Sequence, residues 1–392
     1  ERPDVVLVTG ASGFTGSTAV DYLLQHGYPV LATDVEKSGF EAAMRHRRFM
    51  RSHPEKYLTT RLDIQPADIT KMKDVEVLFR DWNVKYVMHP AAVFDMAAPK
   101  RLLWKVNVDG TRNLLEAAAD SDSDVEAVAV WSTAMVYGGS EDDTRVFTED
   151  DEPNPQNYYV ESKLEQERIV LEYQGHGMPA LVLRPASVYG PRGSYGLARG
   201  LSPMVKNPFF SFMPVPGRRD VLWSYVHVDD VVNAAMHLLY TLGRMNPPGR
   251  VFNVADNTPL TARRIMAETA RILRVPEPSL RMPRRAYEIL GRLTPYGYRV
   301  PFYKTEREEI PYLISNNVYD NSRLLDTGYQ LKYPDTAAGL EVTLDWFARN
   351  MKLDPIWYVT HPRWRSFWKN IPLEQRSFAD YALLSRPLHG RS

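Results

Sequence analysis

The chain has 392 residues, enough for one large α/β domain and a smaller one. Lys+Arg and Asp+Glu are both 48, so the formal charge is zero and no nucleic-acid partner is expected. Cysteine is absent, which excludes disulfides, thiol catalysis and cysteine metal sites, fits a reducing compartment without proving one, and leaves no metal centre expected.

In chain order, Val5–Thr9 reads as a strand and Thr15–Gln25 as an amphipathic helix. Pro29–Thr33 is a second strand, Met72–Trp82 a helix and Tyr86–His89 a strand. Asn107–Ala119 is helical, Ala127–Ser132 a strand, Tyr158–Tyr173 a helix and Ala180–Arg184 a strand. Continuous apolar runs linked by helices predict an α/β fold, a doubly wound parallel Rossmann sheet. After Pro185 the texture changes to Pro, Gly and aromatic residues through Arg219. A strand and helix return at Ser224–Leu239 and a strand at Val251–Ala255. The expected layout is a Rossmann domain over 1–185 plus 221–258. A smaller, mostly helical C-terminal substrate domain covers 186–220 plus 259–350, and a C-terminal extension covers 351–392.

The stretch VTGASGFTGS, Val8 to Ser17, joins the first strand to the first helix. Gly10 allows the sharp turn, Gly13 lets backbone approach a pyrophosphate, and Gly16 lets the helix pack close to the sheet. The helix N-terminus offers free N–H groups to an anion. Alone, this spacing also fits a structural turn. The flanking strand and helix raise it to a dinucleotide site. Asp34 ends the second strand about 20 residues on, where a carboxylate binds both ribose hydroxyls. No arginine adjoins Asp34 to take a 2′-phosphate, so NAD is expected rather than NADP.

In YYVESK, Tyr159 and Lys163 lie four apart and share a helix face. A nearby ammonium is expected to lower the tyrosine from its free value of about 10, making a general acid or base. Such a pair also arises by chance on amphipathic helices. AVWSTAMVYG, Ala129 to Gly138, adds Ser132 and Thr133 at the C-terminal edge of a sheet strand, where ligands bind in open α/β sheets. One of the two hydroxyls caps the loop; Thr133 is the choice for chemistry.

The chain carries TGASGFTG, Asp34, Asp68-Ile69-Thr70, HPAA at 89–92, NVDGTRNLLEAA at 107–118, STAMVYG at 132–138, Tyr159 with Lys163, and LRPASVYGP at 183–191. YVHVDDVVNAA at 225–235 and VFNVADNTPLT at 251–261 continue the series. In order and spacing this set resembles the extended short-chain dehydrogenase/reductases. The resemblance implies that Thr133, Tyr159 and Lys163 form a catalytic triad. It implies that Phe14 and Thr15 belong to the cofactor loop, that Asp68 and Ile69 flank adenine, and that Ala91 and Ala92 line the cofactor cleft. It places Asn107 near that cleft and Pro185 to Val188 at the nicotinamide. Pro90 departs from the usual Leu and lacks an N–H donor. Thr15 departs mildly from the usual Ile.

Relatives acting on nucleotide sugars carry an arginine that grips the diphosphate. Here Trp223-Ser224 stand at that Arg-Asp pair, with Arg218 and Arg219 upstream as substitutes or as solvated loop charges. Ala134 and Met135 replace the acidic residues that a dehydratase needs after Thr133. Residues 190–217 are rich in Phe, Met, Leu and Pro, as an apolar ligand site would be. Phe209, Phe210, Phe212 and Met213 equally fit the core of the small domain.

This layout resembles the 3β-hydroxysteroid dehydrogenase-like branch. The expected activity is NAD-dependent interconversion of a secondary alcohol and a ketone on an apolar, sterol-like substrate. The alternative is a nucleotide-sugar 4-epimerase, which retains NAD and shows no net cofactor reduction.

No apolar run approaches the roughly 20 residues of a membrane span, and no charged-then-apolar signal segment opens the chain. It begins at Glu1, so native residues are expected before it. The tail PIWYVTHPRWRSFWKN, 355–370, interleaves tryptophan with basic residues and suits a peripheral membrane contact, a dimer contact or a lid. The insert MRHRRFMRSH, 44–53, reads as a solvated basic helix or as a contact on the adenine or phosphate side. A cytoplasmic homodimer is expected, with membrane association through the tail as the variant reading.

Overall fold

In the computed structural model the described residues are 2–35, 61–193, 195–198, 201, 215–216, 221–242, 249–279, 281–282, 298–300, 303–305 and 310–350. The basic insert, Phe209 to Met213, Arg218, Arg219 and the tail therefore lie outside the described residues.

The apolar runs form strands β1 (Asp4–Val8), β2 (Val30–Ala32), β3 (Leu62–Ile64), β4 (Asn83–His89), β5 (Ala127–Trp131), β6 (Ala180–Pro185) and β7 (Val251–Val254). They make one 7-stranded sheet in the order β7-β6-β5-β4-β1-β2-β3. Every neighbouring pair is parallel. The expected doubly wound sheet is therefore present. β3 went unread in the sequence because Leu-Asp-Ile is short and only Leu62 is fully buried.

Successive side chains alternate between two cores, as a period of 2 requires. Val6 and Val8 of β1 face one core with Ala127, Ala129 and Trp131 of β5. Helices α1 (Phe14–Gln25) and α5 (Val228–Leu242) cover that face. Val5, Leu7, Val128 and Val130 face the other core, under α2 (Met72–Asp81) and α3 (Gly110–Asp120). Burial on both faces is why these strands read as unbroken apolar runs.

The helix α4 (Tyr158–Gly175) begins at Asn157, whose side chain accepts the Val160 N–H at 2.9 Å. A third cluster holds the smaller lobe together. In it Ile265 and Leu273 of α6 (Ala262–Leu273) meet Leu340, Leu344 and Phe347 of α7 (Thr336–Asn350). Ser187–Tyr189 and Tyr225–His227 pair in parallel outside the main sheet. Among the described residues, no helix is long and apolar enough to cross a membrane.

The sheet grows from β1 toward β3, then resumes on the opposite side at β4. Chains diverge at that switch point and leave a crevice outside the carboxyl ends. Gly10 follows β1 with φ +57°, and a Cβ there would lie 2.8 Å from the Ala91 Cα. A Cβ on Gly16 would lie 2.1 Å from the Gly10 carbonyl oxygen. Only glycine permits that helix-to-turn contact. Gly16→Ala is expected to destabilise the protein by about 1–3 kcal/mol, since backbone rather than side chain must move. Thermal denaturation checks this, with a lowered midpoint as the expected result.

Candidate active site

Asn107, Tyr159 and Lys163 are carried by helical segments, and the other sequence-predicted site residues sit at or just beyond the carboxyl ends of β1 to β6, along one sheet edge. Gly10, Gly13, Phe14, Thr15 and Gly16 follow β1, and Asp34 follows β2. Asp68 and Ile69 follow β3, and Ala91 and Ala92 follow β4. Thr133 follows β5, while Pro185 ends β6 and Val188 lies just beyond.

The glycine turn has the features that suit an anion. α1 starts at Gly13 with no side-chain cap and no acidic residue in its first turn. Its leading N–H groups therefore keep their positive end for a ligand. The Ser12 hydroxyl is buried with no hydrogen-bond partner among the described residues. Asp34 accepts the Ser12 N–H at 3.0 Å and the Val35 N–H at 2.8 Å. Each carboxylate oxygen keeps a lone pair for a ribose hydroxyl. These residues fit a dinucleotide: Gly13 to Gly16 would hold the pyrophosphate and Asp34 the adenine ribose.

Asp68 is committed to a local turn. It accepts the Thr70 N–H at 3.0 Å and the Thr70 hydroxyl at 2.8 Å. Ile69 is buried against Gly110, and its carbonyl accepts from Asn113 at 2.9 Å.

A π-helical turn, Trp104–Asp109, precedes α3 where plain helix was expected. It carries Asn107 inward. Asn107 accepts the Val93 N–H at 2.8 Å and donates to the Val93 carbonyl at 3.3 Å and to the Ser162 hydroxyl at 3.0 Å. Its two N–H groups are thus used within the protein. Asn107 ties the loop after β4 to α4, beside Tyr159 and Lys163.

His89 belongs to the same framework, and its hydrogen bonds fix its tautomer. The Thr111 hydroxyl donates to the Asn107 carbonyl at 2.7 Å, so it accepts from His89 Nε2 at 2.9 Å. His89 Nδ1 then accepts the Thr9 hydroxyl at 2.7 Å. Burial, and after it the Lys163 ammonium, push the imidazole down to about 3, so it is neutral.

Tyr159 is 4% exposed and Lys163 2%. Lys163 is pulled down to about 7 by burial, against the opposing charge of Glu167. The expectation that Lys163 lowers Tyr159 is not met. Burial holds the Tyr159 phenol well above its ordinary value, and Tyr195 and Tyr312 add to this. The protein alone keeps Tyr159 in its proton-bearing form.

Both hydroxyls after β5 have partners. Ser132 donates to Glu167. Thr133 accepts the Met135 N–H at 3.2 Å and caps the short 3₁₀ turn Ala134–Tyr137. An acceptor keeps its own O–H proton. Thr133 therefore caps the loop and can still donate, while the Ser132 proton is spent.

Sequence reading missed two features. Phe94 stands edge-on to Tyr159 at 5.0 Å, and Tyr195 lies 4.8 Å from Phe94 and 5.2 Å from Phe14. This aromatic chain links the glycine turn to Tyr159 across loops that have no periodic signal. The second feature is the buried Glu167–Arg184 ion pair, at 2.6 Å. Its signal was the spacing of Glu167, four residues after Lys163.

His89 generates a pH prediction. Its folded value lies below the ordinary 6.5, so its contribution to stability is present above 6.5 and is lost as pH falls toward 3. His89→Gln is expected to flatten that decline by about 1 kcal/mol per pH unit. Denaturant titrations across the window check it.

Known proteins share this architecture. The chain is 30% identical over 209 residues to UDP-N-acetyl-alpha-D-glucosaminuronate decarboxylase of Bacillus cytotoxicus, covering 50% of this chain and 58% of that protein. It therefore spans little more than half of that relative. It is 28% identical to 3-beta-hydroxysteroid dehydrogenase of Mycolicibacterium neoaurum, covering 83% of this chain and 86% of that one. The fold matches Thermus thermophilus UDP-glucose 4-epimerase, solved with NAD, at TM-score 0.63 and 24% identity, covering 87% of this chain and 98% of that one. A sequence model matches residues 6–255, and the chain belongs to the NAD dependent epimerase/dehydratase family.

Proposed function

We propose that this protein is an NAD-dependent oxidoreductase that interconverts a secondary alcohol and a ketone on an apolar, sterol-like substrate. The observation that carries this reading is the aromatic wall at the reaction centre. Phe94 edges Tyr159 and Tyr195 backs Phe94. Sites of this lining take apolar ligands with a few placed polar groups.

The surroundings support the same substrate class. Trp223, half-buried, stands where nucleotide-sugar relatives place an arginine, and its strand pairs with Leu260. Ser224 is fully buried and accepts the Tyr319 N–H at 3.1 Å, so its hydroxyl serves the protein. Ala134 is buried and Met135 packs on the main core, so neither supplies the acid that water elimination needs.

The roles follow from the side chains. When bound, nicotinamide supplies the hydride acceptor or donor. Tyr159 gives or takes the proton of the substrate oxygen, and Thr133 donates a hydrogen bond to that oxygen. Lys163 holds the ribose and supplies positive charge near Tyr159. Asp34 supports NAD over NADP, since its carboxylate would repel a 2′-phosphate.

Tyr159→Phe is expected to keep dinucleotide binding and to lose at least about 100-fold in turnover. The assay follows reduced nicotinamide absorbance with NAD and a panel of 3β-hydroxysteroids. Wild-type turnover in the variant would overturn the mechanism. Interconversion of UDP-sugars with no net reduction would move the protein to the 4-epimerase reading.

A further inference from the structure

Tyr159, Lys163 and Glu167 follow one another at intervals of four on α4, and all three are buried. That spacing stacks them on one face of the helix. The Glu167 carboxylate is held from two strands. Arg184 of β6 donates Nε to both oxygens at 3.0 and 3.2 Å and Nη2 at 2.6 Å. Ser132, just past β5, donates its hydroxyl to the same carboxylate. Arg184 also donates Nη1 to the Tyr137 hydroxyl at 2.9 Å, and Tyr137 donates to Asn253 of β7 at 2.7 Å.

A buried ion pair is a costly way to hold a core. Apolar residues of similar volume often do as well or better. This pair has another task within reach. Ser132 precedes Thr133, and Glu167 follows Lys163 by one turn.

We propose that Glu167 is a positioning residue for the reaction: pinned by Arg184 and Ser132, it locks the Thr133 turn to the α4 face that bears Tyr159 and Lys163, and it sets an anion beside the Lys163 ammonium. The proposal rests on the dinucleotide reading given above. The groups that face Lys163 are Tyr159 and Glu167 from α4 and the neutral His89 from β4. Those that face Glu167 are Arg184 from β6 and Lys163 from α4. Burial draws Lys163 toward losing its proton and Glu167 opposes it. Removing the Glu167 charge lets Lys163 discharge at lower pH.

The test is calorimetric titration of NADH, with NADPH in parallel, from about pH 6 to about pH 9. Wild type is compared with Glu167→Gln and with the double variant Glu167→Met, Arg184→Met. The double variant removes the Arg184 guanidinium together with its partner carboxylate, so that no unpaired guanidinium is left in the core, which guards against simple unfolding. Wild-type affinity is expected to fall as pH rises through about 7. In the variants that fall moves down by about one pH unit, which weakens binding roughly fivefold at about pH 7 and roughly tenfold above about pH 8. A folded variant with the wild-type pH profile would overturn the proposal. So would a double variant that does not fold, because the pair would then be structural. Failure of wild type to bind either dinucleotide is a different result: it overturns the dinucleotide reading, and this inference with it.

Discussion

Gly10 is wedged against Ala91 where the sheet reverses its order, and the site depends on that contact. A side chain at Gly10 would collide with the backbone of the β4 loop. With glycine there, the turns after β1 and β4 close on each other, and the N-terminus of α1 points into the crevice between the diverging connections. Gly16 sets the depth of α1 against the same turn. The loop after β4 is then fixed by the Asn107 amide, and Asn107 is fixed in turn by the π turn that carries it. An insertion of that kind in a helix re-aims a side chain, and such turns are frequent at functional sites.

From this point two polar frameworks run outward. One passes from Thr9 through His89 and Thr111 to Gln166 on α4. The other passes from Ser132 through Glu167, Arg184 and Tyr137 to Asn253. Both lie at the carboxyl edge of the sheet, and both grip α4. That helix therefore presents Tyr159 and Lys163 from a rigid base, as a reaction that needs sub-ångström placement requires.

Much of the sheet was legible in the sequence, and so was the gathering of the candidate site residues at one sheet edge. The buried strands are continuous apolar runs, and the glycine turn has the spacing its mechanism demands. Tyr159, Lys163 and Thr133 sit at positions that chemistry and topology jointly pick out. β3 escaped because three residues, only one of them fully buried, carry no period. The lowering of Tyr159 by Lys163 was expected from spacing, but spacing says nothing of desolvation, and burial dominates. The Phe94–Tyr195 chain was invisible because it joins two loops that are distant in sequence. The spacing of Glu167 after Lys163 was a signal, but its partner Arg184 lies on a strand and carries none.

The most direct measurement is a crystal structure of the protein grown with NADH. The account predicts the pyrophosphate on the N–H groups of Phe14 and Thr15, the adenine ribose on Asp34, and the nicotinamide ribose on Lys163 within reach of Tyr159. A dinucleotide seated elsewhere, or one whose nicotinamide lies away from Tyr159 and Thr133, would contradict it.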